Sequence, residues 1–319
     1  KPMGKVRLLF TKIKVHEENA LSYAKAGNLF ETNEVLMNGI KISKALTQIR
    51  SGKTKGVILN EVSNSYVKYD EESMYLYRDT PTEVLMKQMI AEFAIFANSF
   101  VGEYLKINFE GVGIFRICSA SEWLSTVYSG ITGQELLNEI IVNGIQADYI
   151  STVQPHDLVG SPEYCHFTSP IRRLSDCVCH YLLKFIYFKH KHCNIPFSEQ
   201  ELDQLATRCM KMTRFEKKNQ YLDIKFRLLQ VMSNMIFENK KIDIEYYITG
   251  YSGLFLNIII CNINTFHVHM SYTLRVRDYE KDINPKEKHS MSVTHVNCFT
   301  NYDENTIPEL DAHILSPNI

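Results

Sequence analysis

The sequence predicts an α+β protein in which an α-rich region, residues 1–235, precedes a smaller β-rich region, residues 236–319. Three observations support this prediction. Before residue 236, apolar residues recur every three or four positions, which is the spacing of an amphipathic helix. After it, short apolar runs alternate with turn-forming residues, as in a small barrel or sandwich. Apolar residues make up 45% and charged residues 22% of the chain, which is the composition of an ordinary globular protein.

A β-hairpin and then a long helix are predicted in the first region. Two short runs around Tyr66 and Tyr75 are separated by an acidic turn, the pattern of a hairpin. Thr80, Pro81 and Glu83 form the signature of a helix start, because the threonine and glutamate side chains satisfy backbone N–H groups reciprocally. An apolar stripe at helical spacing follows, and we expect it to face the core: Leu85, Met89, Phe93, Phe96, Phe100 and Tyr104.

The second region is predicted to contain successive β-strands. Three apolar runs, Ile242–Ile248, Leu254–Cys261 and Phe266–Val276, are separated by glycine- and asparagine-containing turns. Several short strands within about 60 residues indicate a small β-barrel-like domain.

Charge and cysteine usage exclude several classes of protein. The net charge of −1 excludes a chain that is basic throughout, so nucleic-acid binding would require a local patch. The eight cysteines include no Cys-x-x-Cys pair, which indicates reduced thiols and predicts an intracellular, cytoplasmic protein. The most apolar run, Leu254–Cys261, is too short to span a bilayer, so no membrane partner is expected.

The segment Tyr164 to His180, YCHFTSPIRRLSDCVCH, carries the strongest chemical signal. Ser169 and Pro170 predict a helix start. On that helix two arginines, an aspartate and a histidine would share one side, at Arg172, Arg173, Asp176 and His180. Exposed N–H groups and a guanidinium beside them favour a phosphate. The alternative is a surface helix with an Arg–Asp pair and a tolerated histidine.

This segment resembles the signature of the RNB family of exoribonucleases, the relatives of ribonuclease II and ribonuclease R. Tyr164, residues 166–173, Asp176 and His180 match the signature, whereas Leu174 replaces the usual tyrosine. The resemblance extends from about residue 5 to 235. The β region then lies where the family has its C-terminal RNA-binding barrel, which implies an OB-like fold for residues 236–319.

Shorter segments on both sides also resemble the family. Ala147-Asp148-Tyr149 is similar to the family's Ala-x-Tyr lead-in to the signature. Glu92 lies in a segment similar to its Glu-Glu-Phe helix, with Ala91 in place of the first glutamate. Arg116 resembles the arginine of an Arg-x-His segment, although Cys118 replaces the histidine.

The resemblance implies an enzyme that degrades single-stranded RNA processively from its 3′ end to nucleoside monophosphates. Arg172 would then hold a phosphate and neutralise charge in the transition state. Arg173, His166 and Ser169 would position the strand.

Three further residues have two interpretations each. Tyr164 would stack on a base, or else pack against the helix. Glu92 would lie near a ribose hydroxyl, or else be a solvated carboxylate. Arg116 would face RNA, or else be structural.

The resemblance also implies magnesium, held by an early cluster of aspartates. Nothing in residues 1–20 matches that cluster, so we expect the ligands upstream of Lys1 and predict no metal site within these residues. The alternative is an RNB-derived RNA-binding or assembly subunit without activity, whose partners would include a protein complex. A zinc site would have to use Cys177, Cys179 and His180 with His190, His192 and Cys193, and these spacings fit the usual ligand patterns poorly. We interpret the cysteines as mostly packing residues and the histidines as surface residues.

Overall fold

The structure is a computed structural model that describes residues 9, 11–54, 65–69, 74–120, 122, 140, 145–189, 194–252, 255–275, 287–300 and 310–315. These residues group into two compact units. The first unit takes its residues from 1–58, 80–128 and 146–212. The second unit takes its residues from 59–79, 129–145 and 213–319.

Three helices open the first unit after a short 3₁₀ turn at Glu17–Asn19. They are α1 (Tyr23–Leu29), α2 (Glu34–Thr54) and α3 (Pro81–Asn108). Helix α3 packs against both α1 and α2, and the core there consists of Ala26, Ile40, Met86 and Met89.

The predicted start of α3 is also confirmed. The Thr80 hydroxyl accepts a hydrogen bond from the Glu83 N–H at 3.2 Å, and the Glu83 carboxylate accepts one from the Thr80 N–H at 2.8 Å. The prediction that the whole apolar stripe faces the core was wrong at Phe96, whose side chain is 44% exposed. Helix α3 has 28 residues, and its two halves pack in different apolar clusters, so a single stripe cannot describe its buried surface.

The remaining elements of the first unit surround the second half of α3. Strands β3 (Val112–Ile117) and β4 (Asp148–Thr152) pair antiparallel. Helix α4 (Leu174–Lys189) and the first part of α5 (Glu199–Phe237) pack on them. The core here includes Val101, Leu105, Phe115, Leu182 and Leu202.

The second unit combines a hairpin, the later part of α5 and a β-sheet. Strands β1 (Ser65–Tyr69) and β2 (Met74–Arg78) pair antiparallel and confirm the predicted hairpin. Strands β5 (Ile242–Ser252), β6 (Phe255–Ile263), β7 (Phe266–Arg275) and β8 (Lys288–Val293) form an antiparallel sheet of order β7-β6-β5-β8. A last pair joins β9 (His295–Thr300) to β10 (Leu310–Leu315).

The core of the second unit lies between one face of this sheet and helix α5. Leu228, Leu229 and Met232 of α5 pack with buried isoleucines of β5 and β6. The three predicted strands are confirmed, and the described strands form an open sheet. The turn between β6 and β7 uses Asn264 at a φ of 51°, a conformation that asparagine tolerates better than most residues.

Two expectations about domains and membranes stay predictions. Helix α5 ends at Phe237 and β5 begins at Ile242, so the change from helix to strand lies where the sequence places it. The assignment of residues 1–235 and 236–319 as domains is not tested by this change alone. Helix α3 is long and apolar enough to cross a membrane by length and composition, a test that core helices of globular proteins also pass.

Candidate functional site

The segment that carries the two arginines is a turn, and the helix begins after it. Helix α4 starts at Leu174, so the prediction that it starts at Ser169 was wrong. The N–H groups of Arg172 and Arg173 both point to the Ser169 carbonyl oxygen at 3.3 Å, which closes a turn over residues 170–172. The turn is tied to the following helix, because the Ser169 N–H donates to a carboxylate oxygen of Asp176 at 2.7 Å.

Asp176 is the buried centre of this turn, with 0% of its surface exposed. Its two oxygens accept hydrogen bonds from Nε and Nη2 of Arg173 at 2.7 and 2.8 Å, and one accepts from the Ser175 hydroxyl at 3.1 Å. Burial alone raises the pKa of Asp176, but the hydrogen bonds from Arg173 and Ser169 outweigh it and hold the pKa below its ordinary value. Asp176 is therefore the ionised partner of Arg173.

The two adjacent arginines have different environments. The Arg173 side chain is 18% exposed and tied to Asp176, whereas Arg172 is exposed. The Arg172 guanidinium makes no hydrogen bond or ion pair with any residue that the structure describes. Arg173 therefore stabilises the turn through Asp176, and Arg172 is available to bind a ligand.

Tyr164 lies in the core of the first unit. Only 6% of it is exposed, and its hydroxyl accepts a hydrogen bond from the Asn98 side-chain amide at 2.9 Å. The Asn98 carbonyl oxygen of the side chain in turn accepts from the Phe167 N–H at 3.0 Å. Tyr164 packs against its neighbours, so it orders the chain entering the turn, and stacking on a base stays a prediction.

A glycine of α3 allows this segment to approach the helix. A Cβ added to Gly102 would lie 2.8 Å from the Glu163 carbonyl oxygen, well inside van der Waals contact. Only glycine fits here without a backbone shift. This close approach fixes the position of the Tyr164 backbone against helix α3.

His166 is held as a neutral imidazole. Its Nδ1 lies 2.5 Å from the Tyr149 hydroxyl, and its ring meets those of Tyr149 and Tyr164 edge-on. Burial, together with the nearby positive charges of Arg173 and Arg116, lowers the pKa of His166 to about 3. His166 therefore contributes hydrogen bonds, and not a charge, near neutral pH.

Arg116 is buried next to Tyr149 and does not lie on the surface. It is 6% exposed, and its guanidinium carbon lies 4.6 Å from the centre of the Tyr149 ring, a cation–π contact. Burial lowers the pKa of the Arg116 guanidinium, although arginine stays charged at physiological pH. This position favours the structural interpretation of Arg116, and direct contact with RNA stays a prediction.

Glu92 is buried in an ion pair, so its interpretation as a solvated carboxylate was wrong. It is 2% exposed, and both its oxygens contact the guanidinium of Arg50 on α2. Arg50 also donates to the Val159 carbonyl oxygen at 3.0 Å. Sequence reasoning missed Arg50 because 42 residues separate the partners and no local pattern marks the pair. A role for Glu92 near a ribose stays a prediction.

The other polar residues of the signature support the turn. The Nε2 atom of His180 lies 2.9 Å from the Phe167 carbonyl oxygen, and the two rings stack at 4.6 Å. Cys165 and Cys179 are fully buried, and Cys177 is exposed. His190, His192 and Cys193 lie outside the described residues.

No group of three or more histidine, cysteine, aspartate or glutamate side chains that could hold a metal occurs within the described part of the chain. The buried carboxylates of Asp176 and Glu92 are each occupied by an arginine. The described residues therefore do not fit a magnesium site.

The structure brings most of the predicted site residues into one network. Tyr149 is its centre, although sequence reasoning gave it no role. The linked residues are Arg116, Tyr149, His166, Ser169, Arg173, Ser175 and Asp176. Arg172 stands at the exposed side of the same turn, whereas Glu92 is joined to Arg50 instead.

Several solved structures are similar to this chain. An active-site mutant of the Dss1 exoribonuclease from Candida glabrata matches with a TM-score of 0.65 and 17% identity over 84% of this chain. The apo form of RNase R from Mycoplasma genitalium matches with a TM-score of 0.55 and 14% identity over 80%. Yeast Ssd1, described as a pseudonuclease, matches with a TM-score of 0.51 and 16% identity over 80%.

These similarities establish the fold, and the chain covers only part of each neighbour. It spans 35% of the Dss1 and Ssd1 chains and 51% of the RNase R chain. A search of curated proteins finds no sequence match. The family model described as the RNB domain matches residues 7–189, which is more than half of the chain. The chain therefore belongs to the RNB family.

Proposed function

We propose that this chain binds single-stranded RNA and is the RNA-holding part of a 3′–5′ exoribonuclease that releases nucleoside monophosphates. One observation carries the proposal: Arg172 stands exposed and unpaired among the described residues, on a turn that Asp176 braces through Arg173 and Ser169. An exposed guanidinium on a fixed backbone matches a phosphate, because its two parallel N–H groups bind two phosphate oxygens.

The residues around Arg172 have separate tasks in this proposal. Arg172 binds a phosphate of the strand and neutralises charge that develops on it during cleavage. Arg173 neutralises Asp176, so the buried carboxylate does not repel the RNA backbone. His166 remains neutral and supplies a hydrogen bond without adding charge. The β region, residues 236–319, is proposed to contact the same strand, and the protein is proposed to act in the cytoplasm.

Magnesium enters this proposal only as a cofactor of the complete enzyme. Magnesium needs several oxygen ligands converging at about 2.0–2.1 Å. The buried carboxylates of Asp176 and Glu92 already bind arginines. We therefore propose that the ligands come from residues upstream of Lys1.

A second function is an RNA-binding or assembly subunit without nuclease activity. Its support is the similarity to Ssd1, whose description as a pseudonuclease indicates that this fold also exists without catalysis. Determining the coding sequence before Lys1 distinguishes the two functions. A clustered set of aspartates there supports the enzyme, and a start codon at that point supports the binding protein.

The experiment that tests the proposal uses a purified chain of residues 1–319 and a 5′-labelled single-stranded RNA. We expect salt-sensitive binding of the RNA and no shortening of it, with or without magnesium. Absence of RNA binding at low salt contradicts the proposal. A magnesium-dependent ladder of 3′-shortened products contradicts the proposal that the magnesium ligands lie upstream of Lys1.

A further inference from the structure

Tyr149 occupies a central position that the signature does not reveal. It is 3% exposed and lies opposite Arg116 in the pairing of β3 with β4. Its ring carries the Arg116 guanidinium, and its hydroxyl contacts both His166 Nδ1 at 2.5 Å and the Ser175 hydroxyl at 3.2 Å. Ser175 in turn contacts Asp176. Tyr149 thus contacts His166 and Arg116 directly, and it is linked to the carboxylate of Asp176 through Ser175.

The chemistry of the short contact decides which imidazole nitrogen carries the proton. A phenol is a stronger proton donor than a neutral imidazole N–H, and an imidazole nitrogen is a better acceptor than a phenol oxygen. The Tyr149 hydroxyl therefore donates to Nδ1 of His166. Because the bond at one ring nitrogen sets the tautomer, the proton of the neutral ring is placed on Nε2.

The Nε2–H group is then the available donor of His166. The ring is only partly buried, and Nε2 bonds to no residue that the structure describes. The charges that face His166 favour an anion over a cation, because two of the nearby groups are guanidinium ions and the one carboxylate is already paired. The titratable groups around the ring are Arg116, Arg173, Asp176, His156, Tyr149 and Tyr164.

We propose that Tyr149 is a positioning residue that fixes His166 as an Nε2–H donor to a phosphate oxygen of the RNA. This inference rests on the proposed function for the identity of the ligand. The fixed tautomer itself is a property of the protein without RNA. Tyr149 itself does not contact the RNA and acts only through His166.

The test compares Tyr149→Phe with the wild type. Phenylalanine keeps the ring beneath Arg116 and removes only the hydroxyl, so the fold is retained. Long-range ¹H–¹⁵N correlation spectra of histidine-labelled protein report which nitrogen of His166 is protonated, with His166→Gln identifying the signal. We expect the Nε2–H form in the wild type and a mixture of both tautomers in Tyr149→Phe.

RNA affinity provides the second readout. Loss of one oriented hydrogen bond should weaken single-stranded RNA binding about 2- to 10-fold. If Tyr149 acts through His166, the same substitution made in a His166→Gln background should have no further effect. Tyr221→Phe is the matched control, because Tyr221 donates its hydroxyl to the Ser271 carbonyl oxygen in the second unit. It should change neither readout.

Two results overturn the inference. One is an unchanged His166 tautomer in Tyr149→Phe, and the other is an equal loss of RNA affinity from Tyr149→Phe with and without His166. If the proposed function is wrong, the wild type binds no RNA. The tautomer of His166 can still be measured in that case, and it decides whether Tyr149 positions His166.

Discussion

Replacing Asp176 with asparagine should destabilise the first unit and loosen the arginine turn. The carboxylate accepts hydrogen bonds from the Ser169 N–H and two nitrogens of Arg173, and it shares the single proton of the Ser175 hydroxyl with Tyr149. The amide nitrogen of asparagine accepts none, so about half of these bonds are lost. The Arg173 guanidinium also loses its counter-ion.

The magnitude follows from the burial of the pair. Removing one partner of a buried ion pair costs about 3–5 kcal/mol because a charge is left without compensation. Asp176 is fully buried, but the Arg173 side chain is 18% exposed and is partly screened by water. We therefore expect the free energy of unfolding to fall by about 3 kcal/mol, at the lower end of that range.

Urea denaturation followed by circular dichroism measures this change, with equal m-values as the condition for comparing the two proteins. Glu163→Gln is the matched control, because Glu163 pairs with Lys106, whose side chain is 45% exposed. Such a pair contributes about 0–1 kcal/mol. A loss below about 1 kcal/mol for Asp176→Asn, indistinguishable from the control, refutes the assignment of Asp176 as the brace of the turn.

Three further predictions concern the surroundings of the site. The pKa of His166 is lowered to about 3, so the unfolded chain binds more protons and stability should fall as pH drops from about 6.5 towards 3, by up to ~1.4 kcal/mol per pH unit. Comparing the wild type with His166→Gln measures this dependence, which the variant should lack. Glu92→Gln should lower the free energy of unfolding by about 2–4 kcal/mol, because the buried Arg50 guanidinium loses its carboxylate counter-ion. Urea denaturation that detects no loss contradicts this. Gly102→Ala should destabilise by about 1–3 kcal/mol through the clash with the Glu163 carbonyl, and an unchanged melting temperature contradicts this.

The sequence predicted those features whose causes are local. The cap of α3 follows from Thr80 and Glu83, which are three residues apart, and it forms as predicted. The strands of the second unit follow from their apolar runs and turn residues. These patterns act within one element, so the sequence displays them directly.

The features that the sequence did not predict depend on contacts between distant residues. Ser169 and Pro170 have the local signature of a helix start, yet residues 170–172 form a turn, and the Ser169 N–H bonds to Asp176, seven residues away. The Arg50–Glu92 pair joins two helices, so neither residue signals its partner. Tyr149 becomes the centre of the site only when β4 is placed beside the signature segment.

The salt dependence of RNA affinity tests most directly whether Arg172 contacts a phosphate. For single-stranded RNA, each neutralised phosphate contributes about −0.7 to the slope of log affinity against log salt concentration. We predict that Arg172→Ala makes this slope shallower by about 0.7 while leaving the free energy of unfolding unchanged. Arg208→Ala, which removes another exposed arginine of the first unit, should leave the slope as it is. A slope in Arg172→Ala equal to that of the wild type contradicts the assignment of the turn as a phosphate-binding site.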